Sequence, residues 1–178
     1  MERRLAPILG LIVLVVLQPL FARQDAKPAE DLPRVSFEPV KPVTVSAGHP
    51  VTVRFKFRIS DGYSIGSEDP GTEDLAPAGL GFSPPQDVII AKERYPAGQP
   101  LSASFVKAGK ISVYSGVITI QAEIIAQRKA VPGNYTVHGE FRYQACDGRT
   151  IYPQQKLPVK FDLKVGAVRG SPKPGHVG

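Results

Sequence analysis

Alternating apolar and polar residues run through much of the sequence between residues 35 and 165. The clearest example is residues 51–59, where every second side chain is Val, Phe or Ile and those between are Thr, Arg or Lys. A period of two places alternate side chains on opposite faces of a strand, so this pattern predicts a strand with one buried face. The same reasoning predicts further strands at residues 35–37, 43–45, 88–91, 113–125, 135–143 and 157–165.

Turn-forming residues separate these predicted strands. The chain contains 18 Pro and 17 Gly, and no stretch of a dozen residues has the apolar spacing of a helix. Several short antiparallel strands joined by turns are typical of an immunoglobulin-like β-sandwich. We therefore predict an all-β fold with a single domain at residues 34–165. It would lack the Trp and the paired Cys of antibody domains, because the chain has no Trp and one Cys.

The two ends of the chain differ from the predicted domain. Residues 1–22 have the features of a secretory signal peptide, with Arg3 and Arg4 before an apolar stretch and a cleavage site at Ala22. The apolar stretch of about nine residues is shorter than the roughly 20 that span a bilayer, and an uncleaved anchor is the alternative. We expect a periplasmic or secreted bacterial protein with no membrane span in the mature chain. A flexible lead-in and a disordered basic tail are expected at residues 23–33 and 166–178.

Charge and metal-ligand patterns exclude several functions. The net charge is +6, but the sequence has no Lys/Arg block and no basic helix, so nucleic acid is not an expected partner. The three His are scattered, and the acidic run at residues 68–74 is interpreted as a solvated loop and not as a Ca²⁺ site. We expect neither a metal nor a cofactor. Asn134-Tyr135-Thr136 matches a glycosylation triplet, which we interpret as the start of a strand after a turn.

The chain has a single cysteine, Cys146. Export brings a protein into an oxidising compartment, where cysteines tend to be paired or reactive. The unpaired thiol therefore marks its surroundings as the place where function is expected. Catalysis by a Cys–His pair is not expected, because His138 lies eight residues before Cys146, about 27 Å along an extended strand.

Residues 143–153 resemble the active-site turn of the amino-terminal periplasmic domain of the thiol:disulfide interchange protein DsbD. The matching residues are Tyr143-Gln144-Ala145-Cys146, a short polar turn and Tyr152-Pro153, with Ile151 where the family has a second cysteine. The resemblance implies an immunoglobulin-like sandwich, which agrees with the strand pattern. It also implies a stand-alone variant, since the chain ends where the family continues into a membrane-embedded electron conduit and a thioredoxin-like domain. Weaker similarities follow in the same order, at residues 61–65, 80–82, 95–96 and 113–116.

Ile151 limits the chemistry that the resemblance implies. In the family, the cysteine pair cycles between dithiol and disulfide and exchanges electrons with thioredoxin-like proteins. A chain with one sulfur cannot store two electrons as an internal disulfide. We therefore predict a module that docks thioredoxin-like or other periplasmic redox proteins, with little or no turnover alone. A separate membrane electron conduit is a further partner to consider. Enzyme status stays open, at most as a partner-dependent thiol:disulfide interchange protein.

Cys146 is the candidate catalytic or mixed-disulfide residue. The family's cysteines are shielded by a mobile loop, for which residues 95–109 are the matching stretch; an ordinary hairpin connection is the alternative. Cys146 has two alternatives of its own, a buried thiol in a structural or interaction sandwich and a bridge between two copies. Arg149 would lower the pKa of the thiol, whereas Asp147 and burial would raise it. The binding residues suggested by the resemblance are Tyr63, Tyr95, Phe105, Tyr143, Arg149 and Tyr152.

Asp147-Gly148 predicts a tight turn, because Gly tolerates the positive φ that such turns require. This turn would place Cys146 and Ile151 on the two arms of one hairpin. A disulfide needs Cα atoms about 4.4–6.8 Å apart, and we expect these two Cα atoms inside or just above that range. Ile151 would then cover the sulfur as an apolar cap.

Overall fold

A computed structural model describes residues 35–106 and 109–167, and within them every regular element is a β-strand. The all-β prediction is therefore confirmed. None of the described residues lies in a helix long and apolar enough to cross a membrane. The expected signal peptide, lead-in and nearly all of the basic tail lie outside the described residues. The strands are β1 (Val35–Glu38), β2 (Val43–Ser46), β3 (Val51–Ile59), β4 (Ser64–Gly66), β5 (Gly79–Ser83), β6 (Val88–Arg94), β7 (Gln99–Ser102), β8 (Lys110–Tyr114), β9 (Val117–Ala126), β10 (Gly133–Tyr143), β11 (Ala145–Cys146) and β12 (Gln155–Gly166).

The strands form three four-stranded sheets. Sheet A has the order β1-β3-β9-β6, sheet B the order β2-β12-β10-β5, and sheet C the order β11-β4-β8-β7. Neighbouring strands are antiparallel except β2 and β12, which run parallel. Sheets A and B pack face to face as the predicted sandwich, and sheet C carries the cysteine.

The main core is built from aromatic rings on the inward faces of sheets A and B. Phe57 of β3 stacks on Phe141 of β10 with ring centroids 4.2 Å apart. Phe55 of β3 meets Phe161 of β12 edge-on at 5.5 Å. Each of these rings is buried, as the alternation predicted, and burying one such side chain stabilises the fold by about 1.5–3 kcal/mol.

The predicted strand at residues 113–125 is wrong as a single element. The chain breaks at Ser115-Gly116 into β8 of sheet C and β9 of sheet A. Gly116 has φ +65°, a conformation that favours glycine, and its carbonyl accepts a 2.8 Å hydrogen bond from the Ile59 N–H. A local backbone requirement thus interrupts an apolar pattern that continues on both sides.

Four short strands were missed by the sequence pattern: β4, β5, β7 and β11. Each has two to five residues, and none carries the alternating β-branched or aromatic residues that predicted the equally short β1 and β2. β5 contains Gly79 and Gly81, which are poor strand formers. Three of the four, β4, β7 and β11, belong to sheet C, so the part of the fold around the cysteine is the part the pattern predicted least well.

Candidate functional site

Cys146 and Ile151 lie opposite each other on the two arms of a hairpin. The Asp147 N–H donates to the Thr150 carbonyl at 3.2 Å, and the Tyr152 N–H donates to the Ala145 carbonyl at 2.9 Å. These two bonds flank the Cys146–Ile151 pair, which makes it a non-hydrogen-bonded pair. Opposite Cα atoms in such pairs are about 4.5 Å apart, which lies within the range that a disulfide spans. The predicted hairpin is confirmed.

The turn of this hairpin is held by Asp147 and Gly148. Gly148 has φ +85°, as the tight-turn prediction required. The Asp147 Oδ1 accepts from the backbone N–H groups of Arg149 at 2.9 Å and Thr150 at 2.7 Å. These hydrogen bonds lower the pKa of the Asp147 carboxyl, so the group is ionised at neutral pH and fixes the turn next to the cysteine.

The Cys146 side chain is fully buried, with 0% of its surface exposed, and its thiol is free. It belongs to a small apolar core that is separate from the sandwich core. We call this group the cysteine cluster. Its other buried members are Leu75, Ala103, Val106, Ile111 and Val113, with Leu101, Phe105 and Ile151 packed against it.

Burial is the main influence on the pKa of the Cys146 thiol. It raises the pKa of Cys146, and the negative charge of Asp147 raises it further, while a hydrogen bond from the Gly148 N–H lowers it. Arg149 is exposed and is not among the causes of the shift. Since the thiolate is the nucleophile, the buried thiol is less reactive than an ordinary cysteine at neutral pH.

Residues 103–106, here called the covering segment, close one side of the cysteine cluster. Ala103, Phe105 and Val106 contribute their side chains to it. The backbone N–H of Ser104 donates to the Gly148 carbonyl at 3.1 Å, and the Ser104 hydroxyl reaches the same carbonyl at 3.4 Å. The covering segment is therefore hydrogen-bonded to the tip of the cysteine hairpin.

The structure separates the two aromatic residues expected from the shielding loop. Phe105 packs on the cysteine cluster. Tyr95 packs on the sandwich core, where its Oη accepts a 2.8 Å hydrogen bond from the Leu80 N–H at the free edge of β5. Of the two, Phe105 is the one next to Cys146.

Tyr63 and Tyr152 form a half-buried aromatic pair beside the hairpin. Their rings meet edge-on with centroids 5.6 Å apart, and the Tyr152 hydroxyl donates to Asp147 Oδ2 at 3.2 Å. Partial burial and the charge of Asp147 raise the pKa of Tyr152 to about 12. The hydroxyl therefore stays neutral at physiological pH and keeps its hydrogen bond to the turn.

Tyr143, the first residue of the family-like motif, is buried in the sandwich core. Its Oη accepts a 3.4 Å hydrogen bond from the Val35 N–H at the start of β1. The ring also stacks on Phe141 with centroids 5.9 Å apart. Tyr143 thus anchors the end of β10 and presents no surface at the cysteine hairpin.

Gln144 is a site residue that sequence reasoning missed. Its Oε1 accepts from the Ala76 N–H at 2.7 Å, and its Nε2 donates to the Tyr152 carbonyl at 2.9 Å. The side chain therefore ties the loop that carries Leu75 to the second arm of the hairpin. The sequence feature that indicates this role is the position of Gln144 between the apolar residues Tyr143 and Ala145. A polar side chain among buried neighbours needs hydrogen-bond partners, so Gln144 is expected to bind nearby backbone groups.

The acidic residues and the histidines that the structure describes do not form a metal site. Within the described residues, no group of His, Cys, Asp and Glu side chains has the arrangement needed to hold a metal ion. Asp69 and Asp74 bond instead to their own loop, accepting from the Gly71 N–H and the Thr72 hydroxyl, each at 3.2 Å. His138 is exposed on the outer face of β10, away from the cysteine cluster.

No family model and no curated protein matches this chain. The structure is similar to the DsbD amino-terminal domain of Neisseria meningitidis, with 21% identity, TM-score 0.41, and coverage of 62% of this chain and 74% of that one. A complex of that domain with the PilB amino-terminal domain gives 21% identity, TM-score 0.38, and coverage of 78% and 87%. The amino-terminal periplasmic domain of ScsB from Proteus mirabilis gives 12% identity and TM-score 0.48, covering 77% of this chain and 48% of that one.

Proposed function

We propose that this protein is an exported binding module that docks thioredoxin-like redox partners through the Cys146 hairpin, with little or no redox turnover alone. The observation that carries the proposal is the Cys146–Ile151 pair. Its backbone has the spacing of a disulfide, but only one of its two side chains is a sulfur. The sequence resemblance of residues 143–153 supports the same assignment.

The capture step follows from one available sulfur. The Cys146 thiolate attacks one sulfur of a partner disulfide, forming a new S–S bond while the partner's other sulfur leaves as a thiolate. The product is a mixed disulfide, and a second thiol must attack it to complete the reduction. Because Ile151 has no thiol, and attack by the partner's own freed thiol re-forms the partner disulfide, that second thiol comes from another molecule such as glutathione, which attacks the Cys146 sulfur and releases the reduced partner.

Docking must precede capture, because the sulfur is buried. The covering segment and Ile151 lie over the cysteine cluster, and the raised pKa leaves little thiolate. A partner therefore has to displace the covering segment before the sulfurs meet. Tyr63, Tyr152 and the exposed Arg149 surround the hairpin and are the groups we assign to partner contact.

The setting is the periplasm or another oxidising exported location. The predicted signal peptide motivates this assignment, and thioredoxin-like proteins would be the direct partners. A separate membrane electron conduit would supply electrons to those partners, since this chain cannot relay them as an internal dithiol. On this account the protein becomes part of an enzyme system only when another molecule provides the resolving thiol.

Trapping on a non-reducing gel tests the proposal. The native protein is mixed with oxidised thioredoxin-fold proteins and, in a separate reaction, with the PilB amino-terminal domain, with which a DsbD amino-terminal domain forms a complex. A mixed disulfide is expected with wild type and not with Cys146→Ser. Absence of any Cys146-dependent adduct across the panel would contradict the redox role.

The complete burial of Cys146 favours a second candidate, a non-redox structural or interaction sandwich in which the thiol is a core side chain. In that case Cys146→Ala changes stability and leaves partner binding unchanged. Under the first proposal, the same substitution removes covalent capture while the docking surface stays intact. Measuring non-covalent affinity and adduct formation on the same variant separates the two candidates.

A further inference from the structure

A groove of about 350 Å³ with polar and apolar lining lies on the outer face of sheet B, and none of its residues belongs to the cysteine cluster. Concave surfaces of this size with a few convergent polar groups are typical of small-molecule sites. The polar residues that line it are Thr44, Asn134, Thr136, Asp162 and Lys164.

Strand pairing brings the polar residues together from three strands. Lys164 of β12 is paired with Thr44 of β2 on one side and with Asn134 of β10 on the other. Asp162 is paired with Thr136 one step along the same face. These five side chains are exposed. Lys164, Thr44 and Asn134 form one row across the strands, and Asp162 and Thr136 form a second row about 7 Å further along, with about 5 Å between neighbouring strands.

The carboxylate of Asp162 is held in a fixed orientation. The Thr136 hydroxyl donates to Asp162 Oδ1 at 3.1 Å, which leaves Oδ2 as an acceptor. Among residues 35–106 and 109–167, no side-chain hydrogen bond or ion pair engages Asn134 or Lys164. The groove therefore presents an oriented acceptor beside two donors that have no partner in the described structure.

The charges of the groove select the class of ligand. Asp162 disfavours an anion and Lys164 disfavours a cation, whereas a hydroxyl both donates and accepts and so suits both. Tyr135, between Asn134 and Thr136 on β10, packs on the sandwich core, and its hydroxyl donates to the Val131 carbonyl at 2.9 Å. We propose that this groove binds a neutral sugar or related polyol, with Asp162 accepting from one hydroxyl and Asn134 and Lys164 donating to its neighbours.

The proposal accounts for the Asn134-Tyr135-Thr136 triplet, which the cysteine site does not use. Asn134 and Thr136 face the groove from alternate positions of β10, whereas Tyr135 between them packs on the sandwich core. The site is independent of the thiol, so Cys146→Ser is expected to bind the same ligand with the same affinity.

Amide chemical-shift titration of the ¹⁵N-labelled protein tests the groove. Glucose and N-acetylglucosamine are the sugar probes, and betaine is a zwitterionic probe that also matches one negative and one positive group. We expect saturable shifts at the amides of Asn134, Thr136 and Lys164 with at least one of the sugars. Asp162→Asn keeps the shape but weakens the charged hydrogen bond, so affinity should fall about tenfold.

Glu140→Gln is the matched control, because Glu140 lies on the same strand and the same sheet face but outside the groove. It should leave sugar affinity unchanged. Three outcomes would overturn the proposal: no saturable shift with either sugar, tighter binding of betaine than of both sugars, or equal losses in the two variants.

Discussion

Cys146 and Ile151 occupy the cross-strand position at which two cysteines form a disulfide, yet one of the two is an isoleucine. The flanking hydrogen bonds, Asp147 N–H to Thr150 and Tyr152 N–H to Ala145, fix the pair without any help from a covalent bond. The hairpin backbone therefore holds the two residues at a spacing compatible with a disulfide, and one of the two side chains is a thiol.

Restoring the second sulfur should restore an internal disulfide. Ile151→Cys places two thiols on opposite Cα atoms about 4.5 Å apart, which is within disulfide range. Mild oxidation should yield a monomer that has lost two hydrogens by intact mass. Thr150→Cys is the matched control, because neighbouring side chains on a strand point to opposite faces. An Ile151→Cys protein that stays reduced while Thr150→Cys bridges would show that the hairpin is not built for a disulfide.

Opening the covering segment should expose the thiol. Phe105→Ala removes a ring that packs on the cysteine cluster, at a cost of about 1–2 kcal/mol in unfolding free energy. The rate at which a thiol reagent modifies native protein should rise well above the wild-type rate. Ile89→Ala removes an exposed apolar side chain elsewhere and should leave the rate unchanged. Equal rates in wild type and Phe105→Ala would mean that Phe105 does not limit access.

Stability should depend on pH through the buried thiol. Burial raises the pKa of Cys146 above its value in the unfolded chain, so the unfolded state gives up its proton first as pH rises. The contribution of the protonated, buried thiol to stability is complete below the pKa of Cys146 in the unfolded chain. It is lost as the pH rises through the higher pKa of Cys146 in the folded chain. The difference in unfolding free energy between wild type and Cys146→Ala should shrink at alkaline pH. A constant difference across that range would contradict the burial effect.

Gln144 should matter for stability more than its half-buried position indicates. Gln144→Ala removes two side-chain hydrogen bonds and leaves the Ala76 N–H and the Tyr152 carbonyl without these partners. The expected loss in unfolding free energy is about 2 kcal/mol by chemical denaturation. Gln154→Ala, at an exposed position just after the second arm of the hairpin, should be nearly neutral. Comparable losses of unfolding free energy in both variants would mean that the two hydrogen bonds of Gln144 are not the cause of its effect.

The sequence predicted the sandwich well because its main strands are long and each has one apolar face and one polar face. Residues 51–59 and 157–165 each carry an apolar face that meets the core as expected. The predicted strand at 113–125 failed because the alternate buried positions change from odd to even residue numbers between β8 and β9, at the Gly116 turn.

The cysteine hairpin was predictable, whereas its surroundings were not. Asp147-Gly148 is a local turn signal, and its geometry is the one expected. Leu75, Ile111 and Val113 reach Cys146 from distant parts of the chain through short strands and an acidic loop. Such contacts depend on the packing of sheet C, and no spacing rule in the sequence encodes them.

The most direct test compares wild type with Ile151→Cys against the same oxidised thioredoxin-fold partner under single-turnover conditions. Reduced Ile151→Cys should release reduced partner while its own two thiols become an internal disulfide. Wild type should stop at the mixed disulfide, visible as a persistent adduct on a non-reducing gel and absent in Cys146→Ser. If wild type forms no adduct, or releases reduced partner as fast as Ile151→Cys without added thiol, the account of a docking module with half a redox pair is contradicted.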